Sequence, residues 1–354
     1  MTTPIVSVVM SVFNGERFLR EAVESILNQS FRELEFIVID DGSTDGSASI
    51  LDSYQNSDSR MKVHHKEHGG LIESLNRGCR LAQGKYIARM DADDVAIKDR
   101  LTRQLDFMET HPQVGALGGA VEWIDAMGKS LGTHRYPAED REIKATLLQG
   151  CALWHPTVLL RREVFAWAGG YRSMVVDGED YDLWLRIAER HQLANLDAVV
   201  LKYRIHPYQV SMRKGEQQIL CMLAAQVAAS SRRNGMPDPL NSVKEITPET
   251  LAALGVTKAR QQSRLASYHR GWIRNMCMAG EYAAALKAAL ETLQSDLEYV
   301  ERWEVADLHL TVARLYWRQG RPFSSLLSAA QAALTHPVMV GRPLKPLLRR
   351  LGLL

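Results

Sequence analysis

The chain has 354 residues, 46% of them apolar and 24% charged, which is long enough for two globular domains and excludes disordered and fibrous classes. A formal net charge of +2 excludes the broadly basic surface of a general nucleic-acid-binding protein, so no nucleic-acid partner is expected. The four cysteines are far apart and form no Cys-Xaa-Xaa-Cys pair, which argues against a zinc site or a disulfide framework.

The first residues give no sign of a targeting segment. They lack a basic region, and the apolar stretch at residues 5–13 is short and interrupted, so we expect no signal peptide. No uncharged run approaches the ~20 residues that a membrane helix needs. We therefore expect a cytoplasmic protein whose only membrane contact would be peripheral.

The first ninety residues alternate between apolar, β-branched runs and segments with apolar residues at helical spacing. This alternation predicts a parallel sheet covered by helices, with ligands bound at the carboxyl ends of its strands. The predicted strands are residues 5–11, 34–39, 61–65 and 85–90, and helices are predicted at residues 16–28 and after Gly69 and Gly70.

Carboxylates are concentrated where two of these strands end. Asp40 and Asp41 follow the second predicted strand, and Asp91, Asp93 and Asp94 follow the fourth. Carboxylates this close repel one another, so they form either a solvated turn or the ligands of a cation. Asp91 and Asp93, one residue apart, can both point toward a Mg²⁺ or Mn²⁺ ion that also holds substrate phosphates.

Other ligand-binding motifs fit less well. The turn at residues 41–46 resembles the start of a calcium loop, but it follows a strand and lacks a partner hand. No Gly-Xaa-Gly-Xaa-Xaa-Gly follows the first predicted strand, and no Gly-Lys-Ser/Thr phosphate loop occurs. Phosphates would therefore be held through a metal.

Further candidate residues lie beyond residue 150. Glu179 and Asp180 open a predicted helix, where acids also serve simply as caps and dipole partners. His206 follows a predicted strand at residues 199–205, and its structural alternative is a histidine bonded to backbone. Trp154, His155 and Tyr171 are candidates for shaping a substrate pocket.

As a set, six motifs resemble glycosyltransferase family 2, whose members have the GT-A fold. That fold is an α/β nucleotide-binding fold with a mostly parallel central sheet, and we expect it at residues 1–211. The motifs are VVMSVFN (8–14), IDDGSTD (39–45), LNRG (75–78), MDADD (90–94), EDYDLWLR (179–186) and YRIH (203–206).

The resemblance implies an inverting transfer of a sugar from a nucleotide-diphosphate sugar, expected to be a UDP-sugar, to a hydroxyl of a glycan or lipid-linked acceptor. Mn²⁺ or Mg²⁺ is the implied cofactor. Nucleotide-binding roles are implied for five side chains: Phe13, Asp40, Asp41, Arg77 and Asp91. Asp41, with Asp40 as the alternative, would face the base, and Asp91 would lie near the ribose.

The resemblance also implies metal ligands and a general base. Asp93 would reach the metal and the diphosphate, and His206 would approach the metal. Asp180 matches the general base, with Glu179 as the less favoured alternative. Such a carboxylate would accept the proton of the attacking hydroxyl while the metal acts as a Lewis acid at the leaving phosphate.

The expected activity is transfer of a single sugar in cell-surface polysaccharide or glycolipid assembly. The Gln-Xaa-Xaa-Arg-Trp signature of processive relatives and membrane helices are both absent from the sequence. A sugar-phosphate nucleotidyltransferase is disfavoured because no Gly-rich segment follows the first predicted strand. The remaining alternative is an interaction protein with a vestigial sugar-nucleotide site.

Residues 212–354 are rich in Ala, Leu, Gln and Arg and predict an all-α domain. Residues 279–290 and 319–333 echo one another, which suggests degenerate hairpins of the tetratricopeptide type and a possible protein partner. The basic, apolar segment at residues 337–354 would either lie on an anionic inner membrane surface or pack as a terminal helix.

Overall fold

The computed structural model describes residues 3–207 and 214–340. Of these residues, 3–204 and 224–246 form one compact unit, and the others form a second. The predicted domain boundary between residues 211 and 212 lies outside the described residues and stays a prediction. So does the membrane hypothesis for residues 337–354, because residues 341–354 are also outside them.

Among the described residues, nine strands of the first unit form one mixed sheet. They are β1 (Val6–Val12), β2 (Leu34–Asp40), β3 (Met61–His65), β4 (Tyr86–Met90), β5 (Val95–Ala96), β6 (Val114–Ile124), β7 (Ser130–His134), β8 (Leu159–Arg161) and β9 (Gln192–Arg204). Their order is β3-β2-β1-β4-β8-β6-β9-β5, with β7 paired to β6. Strands β1 to β4 are mutually parallel, as predicted, and β9 runs parallel to β6. The other pairs are antiparallel.

Helices of the first unit cover the sheet because each presents apolar residues at helical spacing. In helix α1, for example, Leu19, Val23 and Ile26 are buried. The helices are α1 (Glu16–Leu27), α2 (Ser47–Ser57), α3 (Leu71–Leu81), α4 (Arg100–Thr110), α5 (Asp140–Leu147), α6 (Arg162–Trp167) and α7 (Glu179–Ile187).

The register of the parallel strands brings the two predicted acidic turns to the same edge of the sheet. In β1, Val12 is aligned with Asp40 of β2, and Met10 is aligned with Met90 of β4. Helix α3 packs closely over these strands at Gly78, where a Cβ atom would lie only 2.5 Å from Val9 Cγ1. The turns after β2 and β4 therefore leave the same edge of the sheet, one on each side of β1.

The second unit is helical. Helix α8 (Gly215–Arg233) contributes its first part to this unit, and its end belongs to the first unit. The other helices are α9 (Pro248–Ala253), α10 (Lys258–Met278), α11 (Tyr282–Gln294), α12 (Arg302–Arg318), α13 (Pro322–Thr335) and α14 (Pro337–Val340). None of the helices in the described part of the chain has the length and apolar character needed to cross a bilayer.

Two hairpins, α10/α11 and α12/α13, turn in the same way. Gly280 and Gly320 have φ values of 80° and 69°, the left-handed conformation that glycine tolerates best. After each glycine, a backbone N–H returns to the preceding helix, from Glu281 to Met276 O at 2.9 Å and from Arg321 to Tyr316 O at 3.0 Å. The predicted internal echo thus corresponds to two equivalent helix C-caps. The tetratricopeptide assignment stays a prediction.

A buried ion network holds the start of α7 in place. Asp182 is fully buried and accepts hydrogen bonds from Arg172 Nε and Arg186 Nε, both at 2.9 Å. Arg172 also binds Asp238 at 2.8 Å, and Arg232 binds the same carboxylate. Because α7 opens with Glu179 and Asp180, this network fixes the helix on which they are mounted.

We predict that Asp182→Ala destabilises the first unit by about 3–5 kcal/mol, because it leaves the buried guanidinium group of Arg186 and the half-buried one of Arg172 without their shared carboxylate. Urea unfolding followed by tryptophan fluorescence measures the loss. The control is Arg103→Ala, which breaks an exposed pair with Asp99 and should change stability by less than about 1 kcal/mol. Similar unfolding midpoints for the two variants would contradict a structural role for Asp182.

Candidate active site

The carboxylate of Asp41, just after β2, is buried and saturated with donors. It accepts hydrogen bonds from the backbone N–H groups of Gly69 and Gly70, both at 2.9 Å, and from Lys66 Nζ. His68 Nδ1 lies 3.0 Å from it. Burial alone would raise the pKa of Asp41, but these bonds, led by that from Lys66, lower it. Asp41 therefore holds the loop between β3 and α3.

Asp40 is also buried and has local partners. Its carboxylate is 2.7 Å from His65 Nδ1 and accepts the backbone N–H of Ser43 at 3.1 Å. His65 Nε2 in turn lies 3.0 Å from Asp52 Oδ1. These hydrogen bonds, of which that to Asp40 is the largest influence, raise the pKa of His65. Asp40 thus braces the turn after β2.

An exposed aromatic pair lies beside this turn. The rings of Phe13 and His68 are 4.2 Å apart, and 49% of Phe13 is exposed. An accessible ring of this kind can stack on a flat ligand. Arg77, on α3, is half-buried. Burial, followed by the charge of Arg77, lowers the pKa of His64 on β3.

The acidic cluster after β4 consists of Asp91, Asp93 and Asp94. One carboxylate oxygen from each lies within 4.8 Å of the other two. Burial, followed by repulsion from Asp93 and Asp91, raises the pKa of Asp94 far above its usual range. Burial also raises the pKa of Asp91, although Arg89 opposes the shift. The nearby positive charge is therefore too small to stabilise all three carboxylates in their ionised form.

Two buried arginines supply part of that charge. Arg89 Nη2 donates to Asp91 Oδ1 at 2.6 Å. Arg100 Nη2 donates to the carbonyl of Arg89 at 2.8 Å, and burial lowers the pKa of Arg100 to about 9. Arg89 also lowers the pKa values of Glu179 and Asp180 electrostatically, so its charge acts on both acidic groups.

Asp94 is fixed by β9. The backbone N–H of Arg204 donates to Asp94 Oδ1 at 2.9 Å, and Arg204 Nε donates to the carbonyl of Asp93 at 2.8 Å. Asp94 Oδ2 is buried, and it has no hydrogen-bond partner among the residues that the structure describes. A buried carboxylate oxygen without a donor is costly unless the acid is protonated or a cation is bound.

The cluster fits a divalent metal. Three carboxylates converge, one buried oxygen has no donor from the described part of the chain, and hard oxygen ligands are those that Mg²⁺ and Mn²⁺ prefer. His206, the other predicted ligand, is buried directly after β9 but belongs to the second unit. Its role as a ligand stays a prediction.

Two acids at the start of α7 have unequal proton affinities. Burial, followed by the charge of Asp180, raises the pKa of Glu179 to about 8. Burial also raises the pKa of Asp180, to about 6, while the N–H of Tyr181 at 2.7 Å opposes the shift. Because the pKa of Asp180 is raised less than that of Glu179, Asp180 loses its proton at lower pH and is the better suited of the two to accept one near neutrality.

Buried polar side chains surround this acid pair. His155 Nε2 is 2.8 Å from Tyr171 Oη, and His155 Nδ1 is 3.8 Å from Glu179 Oε1. Burial, followed by the charge of Arg89, keeps the pKa of His155 well below its usual range. Asn76 exchanges two hydrogen bonds with the backbone of Tyr171, at 2.8 and 3.0 Å. The neutral imidazole and the phenol thus form one fixed wall.

The sequence analysis gave no role to Lys66 or Arg89, and it placed Asp94 in the acidic cluster without a role of its own. Lys66 follows β3 directly, and a cation at the carboxyl end of a parallel strand next to Asp41 was an available signal. Arg89 lies inside β4, and the sequence pattern there predicts only a strand. Its influence on the acids of α7 is electrostatic and acts between residues far apart in sequence, which no local pattern encodes.

Comparison with known proteins identifies the family. The sequence model described as Glycosyl transferase family 2 matches residues 7–166. An uncharacterized glycosyltransferase of Methanocaldococcus jannaschii is 32% identical over 212 residues, which are 58% of this chain and 72% of that protein. The O-antigen biosynthesis glycosyltransferase WbnJ of Escherichia coli is 31% identical over 210 residues, 57% of this chain and 80% of WbnJ.

A solved structure supports the fold. The mannosyltransferase PcManGT from Pyrobaculum calidifontis, in complex with GDP-Man and Mn²⁺, has a TM-score of 0.51 at 20% identity, over 94% of this chain and 88% of that one. The likeness confirms the predicted GT-A fold. The two relatives, more than 30% identical over more than two thirds of their own length, lead to a separate conclusion: the chain belongs to glycosyltransferase family 2.

Proposed function

We propose that the chain is a metal-dependent, inverting hexosyltransferase that moves one sugar from a nucleotide-diphosphate sugar to an acceptor hydroxyl. The observation that carries the proposal is the presence of two acidic groups on which the charge of Arg89 acts. One is the cluster of Asp91, Asp93 and Asp94 with its unpartnered buried oxygen. The other is Asp180, whose pKa of about 6 suits a general base at neutral pH.

At the donor end, Asp93 with Asp91 and Asp94 would hold Mn²⁺ or Mg²⁺. The bound ion would supply Lewis-acid stabilisation of the departing diphosphate. Support for Mn²⁺ comes from PcManGT, whose structure contains Mn²⁺ with GDP-Man. A UDP-sugar remains the predicted donor of this chain, with a GDP-sugar as the nearest competitor.

The nucleotide would lie along the turns after β1 and β2. The exposed ring of Phe13 offers a stacking surface for the base, and Arg77 offers a positive charge. Asp41 is saturated with donors, so we propose that it acts mainly by fixing the loop at residues 66–70 beside the base. Asp40 braces the same turn through His65.

At the acceptor end, Asp180 would remove the hydroxyl proton. The acceptor oxygen forms a bond to the anomeric carbon as the bond from that carbon to the phosphate oxygen breaks. The proton passes to the Asp180 carboxylate, and the nucleoside diphosphate leaves with the bonding electrons. Attack from the face opposite the leaving group inverts the anomeric centre.

The biological setting follows from the relatives. WbnJ acts in O-antigen biosynthesis, which favours a glycan or lipid-linked acceptor and a role in polysaccharide or glycolipid assembly. We place the enzyme on the cytoplasmic side, with peripheral contact at the inner membrane face as the route to a lipid-linked acceptor. The helical second unit is the candidate surface for a protein partner.

We predict that one nucleotide sugar among UDP-, GDP- and dTDP-sugars raises the melting temperature only when Mn²⁺ is present. At a hundredfold excess over Kd, such binding contributes about 2.7 kcal/mol. Asp93→Asn should abolish the shift because it removes a charged metal ligand. Differential scanning fluorimetry with and without EDTA makes the measurement.

The matched control for that experiment is Asp106→Asn, which removes an exposed carboxylate on α4 and should keep the full shift. If no donor stabilises the wild type in either condition, the metal-dependent site is contradicted and a vestigial site becomes the better account. Equal shifts in Asp93→Asn and wild type would instead show donor binding that does not need the cluster.

The pH dependence of transfer should report Asp180. Below a pKa of about 6 the acid is protonated and cannot accept a proton, so kcat/KM should fall about tenfold per pH unit on the acidic side. Asp180→Asn should lower kcat by about 10²–10⁴-fold. Initial rates of nucleoside diphosphate release between pH 5 and about 8 provide the profile.

Glu179→Gln is the matched variant, because the amide mimics the protonated acid expected at neutral pH. It should keep the acidic limb near its wild-type position. If the acidic limb of the kcat/KM profile were lost in Glu179→Gln and kept in Asp180→Asn, Glu179 would be the base and the assignment to Asp180 would be wrong.

A further inference from the structure

The second unit contains a groove lined by four arginines. Arg270 and Arg274 come from α10, and Arg314 and Arg318 come from α12. The cavity measures about 650 Å³, within the usual range for a small-molecule site. Its walls are the first helices of the two hairpins, the arrangement in which stacked helical repeats form concave binding surfaces. We call this cavity the arginine groove.

The spacing of these arginines destabilises the helices that carry them. Each pair is separated by four residues, which places like charges on one helix face and destabilises an isolated helix by a few tenths of a kcal/mol. The two faces then meet across the same cavity. Asp307 is the only carboxylate among its lining residues in the described part of the chain. A bound anion would relieve this repulsion.

The protein itself neutralises only part of the charge. Arg270 Nη2 forms an ion pair with Glu304 at 2.7 Å and packs over the ring of Trp303. Arg318 donates to the neutral hydroxyl of Tyr282 at 2.8 Å and lies over its ring. Arg274 and Arg314 are exposed, and neither has an ion-pair partner within residues 3–207 and 214–340. Three guanidinium groups therefore remain without a paired carboxylate.

The lining also limits what the ligand can be. Guanidinium groups bind phosphate oxygens through two parallel hydrogen bonds, which makes arginine the usual residue for phosphate recognition. Several such groups around one cavity suit more than one phosphate. Ile273, Leu308 and Leu315 provide an apolar wall, and Thr311 a hydroxyl, against which an uncharged portion can rest.

We propose that the arginine groove binds a ligand bearing a pyrophosphate or two neighbouring phosphate groups. This site is separate from the nucleotide-sugar site, since its residues belong to α10, α11 and α12 of the second unit. It needs no divalent metal, because the positive charge comes from the arginines. The same chemistry is offered by a soluble phosphate ester and by a phosphorylated lipid headgroup.

The test is calorimetric titration of the full-length protein with inorganic pyrophosphate in EDTA, which prevents metal-dependent binding at the acidic cluster. The double variant Arg274→Ala/Arg314→Ala should bind at least about tenfold more weakly, since it removes two charge-assisted contacts. Both side chains are exposed, and circular dichroism verifies that the helices persist.

The control double variant is Arg264→Ala/Arg302→Ala, which removes one arginine from each of the same helices outside the groove. It should bind pyrophosphate as the wild type does, and so should Asp93→Asn. If Asp93→Asn still binds pyrophosphate, the binding occurs at the arginine groove and not at the active site, because only the active site depends on the acidic cluster.

A second arm measures flotation with vesicles of phosphatidylcholine, with and without phosphatidic acid. Binding that depends on Arg274 and Arg314 in either arm supports the site. Loss of flotation in the groove variant identifies a lipid headgroup as the source, whereas pyrophosphate binding without flotation identifies a soluble ligand. No binding in either arm, or equal binding by the groove and control variants, overturns the proposal.

Discussion

The structure depends on holding several carboxylates together where the parallel strands end. Strand register brings the turns after β2 and β4 to one edge of the sheet. The protein then offsets the negative charge unevenly. Asp41 is saturated by Lys66 and two backbone N–H groups, whereas the cluster after β4 has an oxygen of Asp94 with no hydrogen-bond partner in residues 3–207 and 214–340. The first acid fixes a loop, and the second group retains capacity for a cation.

The same charge distribution gives different properties to the two acidic groups of the site, the cluster after β4 and the pair at the start of α7. Arg89 lies within electrostatic reach of both the cluster and the acids of α7. Burial favours the protonated form of Glu179 more than that of Asp180, so one ionised acid remains near neutral pH. The network around Asp182 fixes the helix that presents this acid. One rigid framework thereby positions the proposed metal site and the proposed proton acceptor.

Local patterns predicted the elements that carry the site, and they failed where the structure depends on distant contacts. Strands β1 to β4 were predictable because their runs are apolar and separated by helical periodicity. Strand β5 has only two residues, and β7 is mostly exposed, so neither shows a hydrophobic pattern. The prediction for β9 began at residue 199, but the strand starts at Gln192 because it pairs along β6. The hydrogen bonds to Asp41 form only in the folded chain. The same is true of the electrostatic effect of Arg89, on β4, on the acids of α7.

The central claim is that the cluster of Asp91, Asp93 and Asp94 holds the metal of a sugar-nucleotide complex. The most direct measurement is anomalous diffraction at the manganese edge from crystals grown with Mn²⁺ and a nucleoside diphosphate. The account predicts a manganese peak at the acidic cluster, next to the carboxylate of Asp93. A bound nucleotide with no peak at the cluster, or a peak coordinated elsewhere on the chain, would contradict it.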